Sequence, residues 1–273
     1  MRRAGLAIAG VATIAAGCLL PEIGDFSGGS PDASTVLGND ASPKDTGADA
    51  PIVVADAGAC PDGSFCDDFD DGPLGAKWTT KQEQDIELTL VDAGLSPPNA
   101  LQLRFLPRTK AARQGFLSKA FPVTTAAHVV CSVQIKPIVR TTTSGQDYQV
   151  LLVQTAASAS QWASVYVKLT PTATDVLEDH PGADGGVASS VKGIPTTGGG
   201  VATGAWSRLE LDVDFAKKSA KLTVIGTATT SLTIPNLQPP ANPSSITILL
   251  GEDGDSDDEP STTLLDDLVC SLP

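Results

Sequence analysis

Beyond residue 60, apolar and polar residues alternate with a period of two. Val129, Cys131, Val133 and Ile135 alternate with Val130, Ser132, Gln134 and Lys136. Ala163, Val165, Val167 and Leu169 alternate with Trp162, Ser164, Tyr166 and Lys168, and Leu209, Leu211, Val213 and Phe215 with Arg208, Glu210, Asp212 and Asp214. A strand points successive side chains to opposite faces, so each of these segments reads as a half-buried strand. Shorter β-rich runs are DIELTLVD, NALQLRF, YQVLLVQT, KLTVIGT, TSLTIPN and SITILLG. Gly, Pro, Asn and Asp punctuate them, as in HPGADGG and TTGGG. No stretch of ten or more residues makes a convincing amphipathic helix. Many short strands with turn signals between them predict an all-β sandwich or barrel.

The alternation is absent before residue 60. Residues 1–17 hold Arg2 and Arg3, then an apolar run rich in Ala and Gly, then small residues ahead of Cys18. This is the layout of an export signal, too short for a spanning helix. Ala15-Ala16-Gly17-Cys18 resembles a bacterial lipobox, with Ala15 where that pattern usually has Leu; an ordinary cleaved signal peptide is the alternative. The resemblance implies lipidation of Cys18, and Leu19 after it fits sorting to the outer membrane of a Gram-negative envelope. Several acyl chains would hold the protein stably on the membrane. Residues 18–59 are mostly Gly, Ser, Pro, Asp and Ala, a composition that cannot bury enough surface to offset its ordering entropy. They read as a disordered tether, with ends on the order of 35 Å apart. The segment 60–273 is long enough for one sizeable core.

The formal charge is −14, with no basic stripe, which excludes nucleic acid as a partner because phosphate contacts need clustered Lys and Arg. With Cys18 lipidated, Cys60, Cys66, Cys131 and Cys270 remain. Export places them in an oxidising compartment, where two disulfides are expected. Four cysteines allow three connectivities. The favoured one is a local Cys60–Cys66 and a long-range Cys131–Cys270, since the first pair is close in sequence and each of the second lies in a strand-like segment. Zinc is the poorer reading, because there is no CxxC and His128 and His180 lack metal spacing. GxSxG, Walker, GxGxxG and HExxH motifs are absent from the sequence.

The order of features narrows the fold. FCDDFDDGPLGAKW (65–78) opens the domain, NALQLRF follows, GAWSRLELDVDFAKKSAKLTVIG comes late, and LLDDLVCSL closes it. Over 60–273 this resembles the concanavalin A-like lectin/glucanase superfamily, especially laminin G-like jelly rolls of bacterial secreted proteins. The matching residues are Gly204, Trp206, Leu209 to Phe215 and Leu222 to Gly226 in the late hairpin, and Asp266-Asp267-Leu268 in the last strand. The resemblance implies an antiparallel jelly-roll sandwich of two sheets, one of them concave, with the first and last strands adjacent. It also implies a structural Ca²⁺ joining those strands, for which Asp67, Asp68 and Asp266 are candidates. A hydrogen-bonded Asp266 carboxylate would serve equally.

The candidate ligand surface is Trp162 and Tyr166 on the polar face of their strand, about 13 Å apart. Such rings can stack two separated sugars. Tyr148, Lys168, Arg208, Glu210 and Asp212 would add polar contacts if their strands share that sheet. ELDVDF (210–215) is similar to the Glu-x-Asp-x-(x)-Glu strand of laminarinase-type hydrolases. Retaining chemistry needs carboxyls about 5–5.5 Å apart, Asp214 is a methylene shorter than Glu, and the motif sits late in the chain. A solvated strand face is the favoured reading there. Asp253, Asp255 and Asp257 alternate as in an EF-hand loop, but Asp258 and Leu264 stand where Gly and Glu are required, so only looser Ca²⁺ binding is open. The expectation is therefore a surface-anchored, non-catalytic module binding glycan or another envelope polymer. The alternatives are a structural or adhesion protein with protein partners, or a hydrolase or lyase of the same superfamily.

Overall fold

The structure is a computed structural model. It describes residues 60–106, 113–123, 127–140, 148–182, 187–254 and 261–272. The segments expected to be an export signal (1–17) and a tether (18–59), with Cys18, and Asp255, Asp257 and Asp258 lie outside the described residues. The strands belong to one unit, Asp56–Pro273.

Each period-two segment is a strand. One sheet has eight strands. In spatial order they are β13 (Thr229–Pro235), β12 (Ser219–Ile225), β11 (Ser207–Asp214), β6 (His128–Val139), β15 (Thr262–Ser271), β4 (Ala100–Phe105) and β3 (Ile86–Val91), with β1 (Ser64–Asp67) also paired on β15. The other has seven: β10 (Val187–Pro195), β9 (Ala173–Pro181), β8 (Gln161–Leu169), β7 (Tyr148–Ser158), β14 (Ser245–Gly254), β5 (Arg113–Pro122) and β2 (Thr80–Gln84). Every pairing between these strands is antiparallel. The result is the expected jelly-roll sandwich. The apolar residues of the alternating segments in β6, β8 and β11 are at most 1% exposed, so the two inner faces make the core. Burying each such side chain contributes about 1.5–3 kcal/mol, which holds the sheets together.

The first and last strands are neighbours, with Ser64 opposite Ser271 and Asp67 opposite Leu268. One edge of β15 is shared: Thr262 to Leu265 pair with β4, and Leu268 to Ser271 pair with β1. Between them the β15–β6 register shifts, and Asp267 takes a left-handed φ of 48°. This bulge turns the fully buried Asp266 toward the loop after β3. Cys131 and Cys270 face each other across β6 and β15, both are buried, and a disulfide joins them. A second joins Cys60 to Cys66. Both links follow the favoured connectivity.

Three strands carried no usable pattern. β2 (TKQEQ) is polar throughout, β9 mixes acids with its apolar positions, and β10 leaves only Ile194 buried. β2 and β10 are edge strands of the seven-stranded sheet, where there is little core to impose alternation.

Candidate functional site

The two halves of the proposed ligand surface separate. Trp162, Tyr166 and Lys168 lie on the outer face of the seven-stranded sheet, opposite the buried Ala163, Val165 and Val167 of β8. Arg208, Glu210 and Asp212 lie on the outer face of the eight-stranded sheet. They therefore cannot join the aromatics on one surface. The cause is pairing: β8 lies between β7 and β9, whereas β11 lies between β6 and β12. Tyr148 begins β7 opposite Leu169, but its side chain is outside the described residues.

On the outer face of β8, Tyr166 donates its hydroxyl to Asp179 Oδ2 at 2.9 Å, and Ser189 Oγ donates to the other oxygen of Asp179. Gln154 Nε2 donates to Ser164 Oγ at 2.9 Å. Lys168 stands opposite Asp175 in the ladder. Hydrogen bonds to neighbouring strands thus pin the middle of this face.

At the end of β8 the surface opens. Trp162 is half-buried in the wall of an open groove of about 720 Å³. The β7–β8 turn supplies Ser160, the start of β8 supplies Gln161, the end of β9 supplies His180, and the segment between β13 and β14 supplies Gln238 and Asn242. That last segment is fixed at both ends. Leu237 is buried and donates its N–H to Lys218 O at 3.0 Å, and Ser244 donates its own to Ala156 O at 2.8 Å. Beneath the groove, Glu178 is 2% exposed and accepts the Gln238 N–H. His180 Nδ1 is buried 3.7 Å from Glu178 Oε1. Trp162 was singled out by its place on a polar strand face. His180, Gln238 and Asn242 were not, because no local pattern tells that a proline-rich connection about 80 residues later crosses the same strand end.

The hydrolase-like strand is an ion-paired surface. Glu210 lies 3.9 Å from Arg208 Nη2, Asp212 pairs with His128 Nε2 at 2.8 Å, and Asp214 with Lys217 Nζ at 2.8 Å. The hydrogen bond from Lys217 holds the Asp214 carboxyl below its usual range, against a smaller opposing effect of burial. Glu210 and Asp212 lie on a partly exposed strand face, close to the favoured reading, whereas Asp214 is buried at the strand's end beside Lys217.

The opening acidic stretch is spent on local bonds. Asp67 is buried and accepts the Trp78 indole N–H at 2.6 Å and the Phe69 N–H at 3.1 Å. Lys77 Nζ stands 3.5 Å from Asp67 and 3.4 Å from Asp68. Partial burial pulls the Lys77 pKa down, but these two carboxylates outweigh it and the net shift is upward. Asp70 accepts the Asn99 N–H at 2.7 Å. Asp266 Oδ2 accepts the N–H groups of Leu95 and Ser96 at 2.7 and 3.1 Å, and Oδ1 that of Asp267 at 2.9 Å. Burial raises the Asp266 pKa to about 6 despite those donors. The oxygens of Asp67 and Asp266 each face their own N–H donors, so they do not fit a calcium shared across the first and last strands. Asp266 is a hydrogen-bonded carboxylate, which is what a buried acid requires. Among the described residues no three His, Cys, Asp or Glu side chains converge.

No family model matches the chain, and no curated protein matches it. Solved structures do. The endo-β-1,4-glucuronan lyase of the fungus Trichoderma reesei superposes with a TM-score of 0.57 at 11% identity, covering 76% of this chain and 94% of that one. The cellulose-induced protein Cip1 gives a TM-score of 0.53 at 13% identity, covering 75% and 96%. Lectin II from Ulex europaeus gives 0.43 at 12% identity, covering 77% and 98%, too distant to carry an argument. At such identities the likeness is one of fold alone: this chain shares a jelly-roll sandwich, consistent with a concanavalin A-like fold, with the two structures that superpose best of these three.

Proposed function

We propose that the domain is a non-catalytic, lectin-like module that holds a polysaccharide at the groove beside Trp162. One observation carries the reading. A half-buried tryptophan forms the wall of an open groove whose other described side chains include two glutamines, an asparagine, a serine and a histidine. A sugar needs both features, because its C–H face packs on an aromatic ring while its hydroxyls require hydrogen-bond partners. The volume of about 720 Å³ is within the range of small-molecule sites. The names of two of the neighbours, a glucuronan lyase and a cellulose-induced protein, point toward polysaccharides in general. The test is a glycan array probed with the protein, with and without Ca²⁺. Binding that Trp162→Ala abolishes supports the reading; no binding to any glycan refutes it.

The same proposal places the module on the outer membrane, anchored by lipid at Cys18 and carried on the tether 18–59. A second reading, adhesion to a protein partner, draws on Val187 and Val191, which are 55% and 60% exposed on the edge strand β10. Edge strands that show apolar side chains are natural docking points.

A further inference from the structure

We propose that the groove beside Trp162 selects a neutral sugar chain and rejects uronic acid polymers. The inference rests on the glycan-binding reading and specifies its ligand. Among the described lining residues there is no Lys, Arg, Asp or Glu. A uronate carries one carboxylate per sugar, and recognising it calls for cations, above all the guanidinium fork. The lining side chain that can become positive is His180, and it has the buried Glu178 oxygen 3.7 Å from its Nδ1. The charged group nearest that ring is thus a carboxylate, which disfavours a second anion beside it. Along the face leading from the groove, the cation Lys168 stands opposite Asp175, and Asp179 holds Tyr166 and Ser189. The whole chain carries −14, which repels a polyanion at low ionic strength.

What the lining does offer is amides. Gln161, Gln238 and Asn242 each bring an N–H₂ donor and a carbonyl acceptor, matching hydroxyls that both donate and accept. Trp162 brings a flat apolar surface with one N–H at its edge. The neighbour named for glucuronan acts on a uronic polymer, so shared fold and unlike ligand charge would here go together.

The experiment is affinity electrophoresis of the full chain through gels holding a neutral glucan, mannan or galactan, or polyglucuronate or alginate, at 20 and about 200 mM NaCl. The expected result is retardation by at least one neutral polymer, insensitive to salt, weakened about tenfold or more by Trp162→Ala, with no retardation by either uronate. Trp162→Phe keeps a stacking ring and should retain most of the binding, and an unchanged melting curve shows that both variants are folded. Retardation by a uronate as strong as by any neutral polymer overturns the selectivity and leaves the glycan-binding reading standing. Neutral binding untouched by Trp162→Ala overturns the groove as its seat. No retardation by any polymer defeats both.

Discussion

Asp266 is fully buried, accepts three backbone N–H groups, and still titrates near pH 6. Its folded pKa exceeds the unfolded value of about 3.9, so the protonated form is the one the fold prefers. Its contribution to stability is fully present below about pH 4 and is lost as pH rises through about 6. The size is about 2–3 kcal/mol. The native chain should therefore show a fall in urea midpoint between pH 4 and pH 7 that Asp266→Asn removes; identical profiles would contradict this. Asp67 gives a second test. Trp78→Phe deletes its buried donor and should cost about 1–3 kcal/mol. Lys77→Met removes a half-exposed ion pair and should cost about 0–1 kcal/mol. Equilibrium unfolding that reverses this order would place the stabilisation of Asp67 elsewhere. The parity of FCDDFD showed which of its side chains turn inward. That Asp67 meets an indole eleven residues on was not legible, because the intervening turn, with Gly72 and Gly75 at φ of 77° and 87°, sets that meeting.

Strands were legible where a core demands alternation and illegible where it does not. β6, β8 and β11 bury one face completely and announce it residue by residue. β10 buries one side chain, so nothing in VASSVKGIP had to alternate. Sheet membership was the deeper gap. The same period-two pattern fits either sheet, so whether Arg208, Glu210 and Asp212 share a surface with Trp162 stayed conditional, and β11 and β8 sit in different layers. Cysteines escape this ambiguity by covalent linkage. Cys131–Cys270 spans a sequence separation of 139 and Cys60–Cys66 one of 6. In the chain-entropy model the first contributes about 5 kcal/mol and the second about 2. Cys131→Ala with Cys270→Ala should lower the denaturation midpoint more than Cys60→Ala with Cys66→Ala. Equal losses would mean that loop closure is not what makes the long bridge matter.

For the whole molecule, a sandwich has two outer faces, and they differ. The eight-stranded sheet presents paired polar and charged side chains, among them the His128–Asp212 contact and the Lys217–Asp214 ion pair. The seven-stranded sheet presents Tyr166, amides and the groove at Trp162. Such a domain on a lipid-anchored tether would meet polymers outside the membrane. Cys18→Ser should then move the protein from the membrane to the soluble fraction; unchanged membrane association would contradict the anchor. The central claim, that ligand sits against Trp162, has a direct readout because the chain holds three tryptophans in different settings. Trp78 is buried with its indole N–H on Asp67, Trp162 walls the groove, and Trp206 stands on the other side of the core near Lys136. In an indole ¹⁵N–¹H spectrum titrated with a neutral oligosaccharide that binds, the Trp162 signal should shift while those of Trp78 and Trp206 stay in place. A stationary Trp162 signal beside a shifting Trp206 signal would contradict the account.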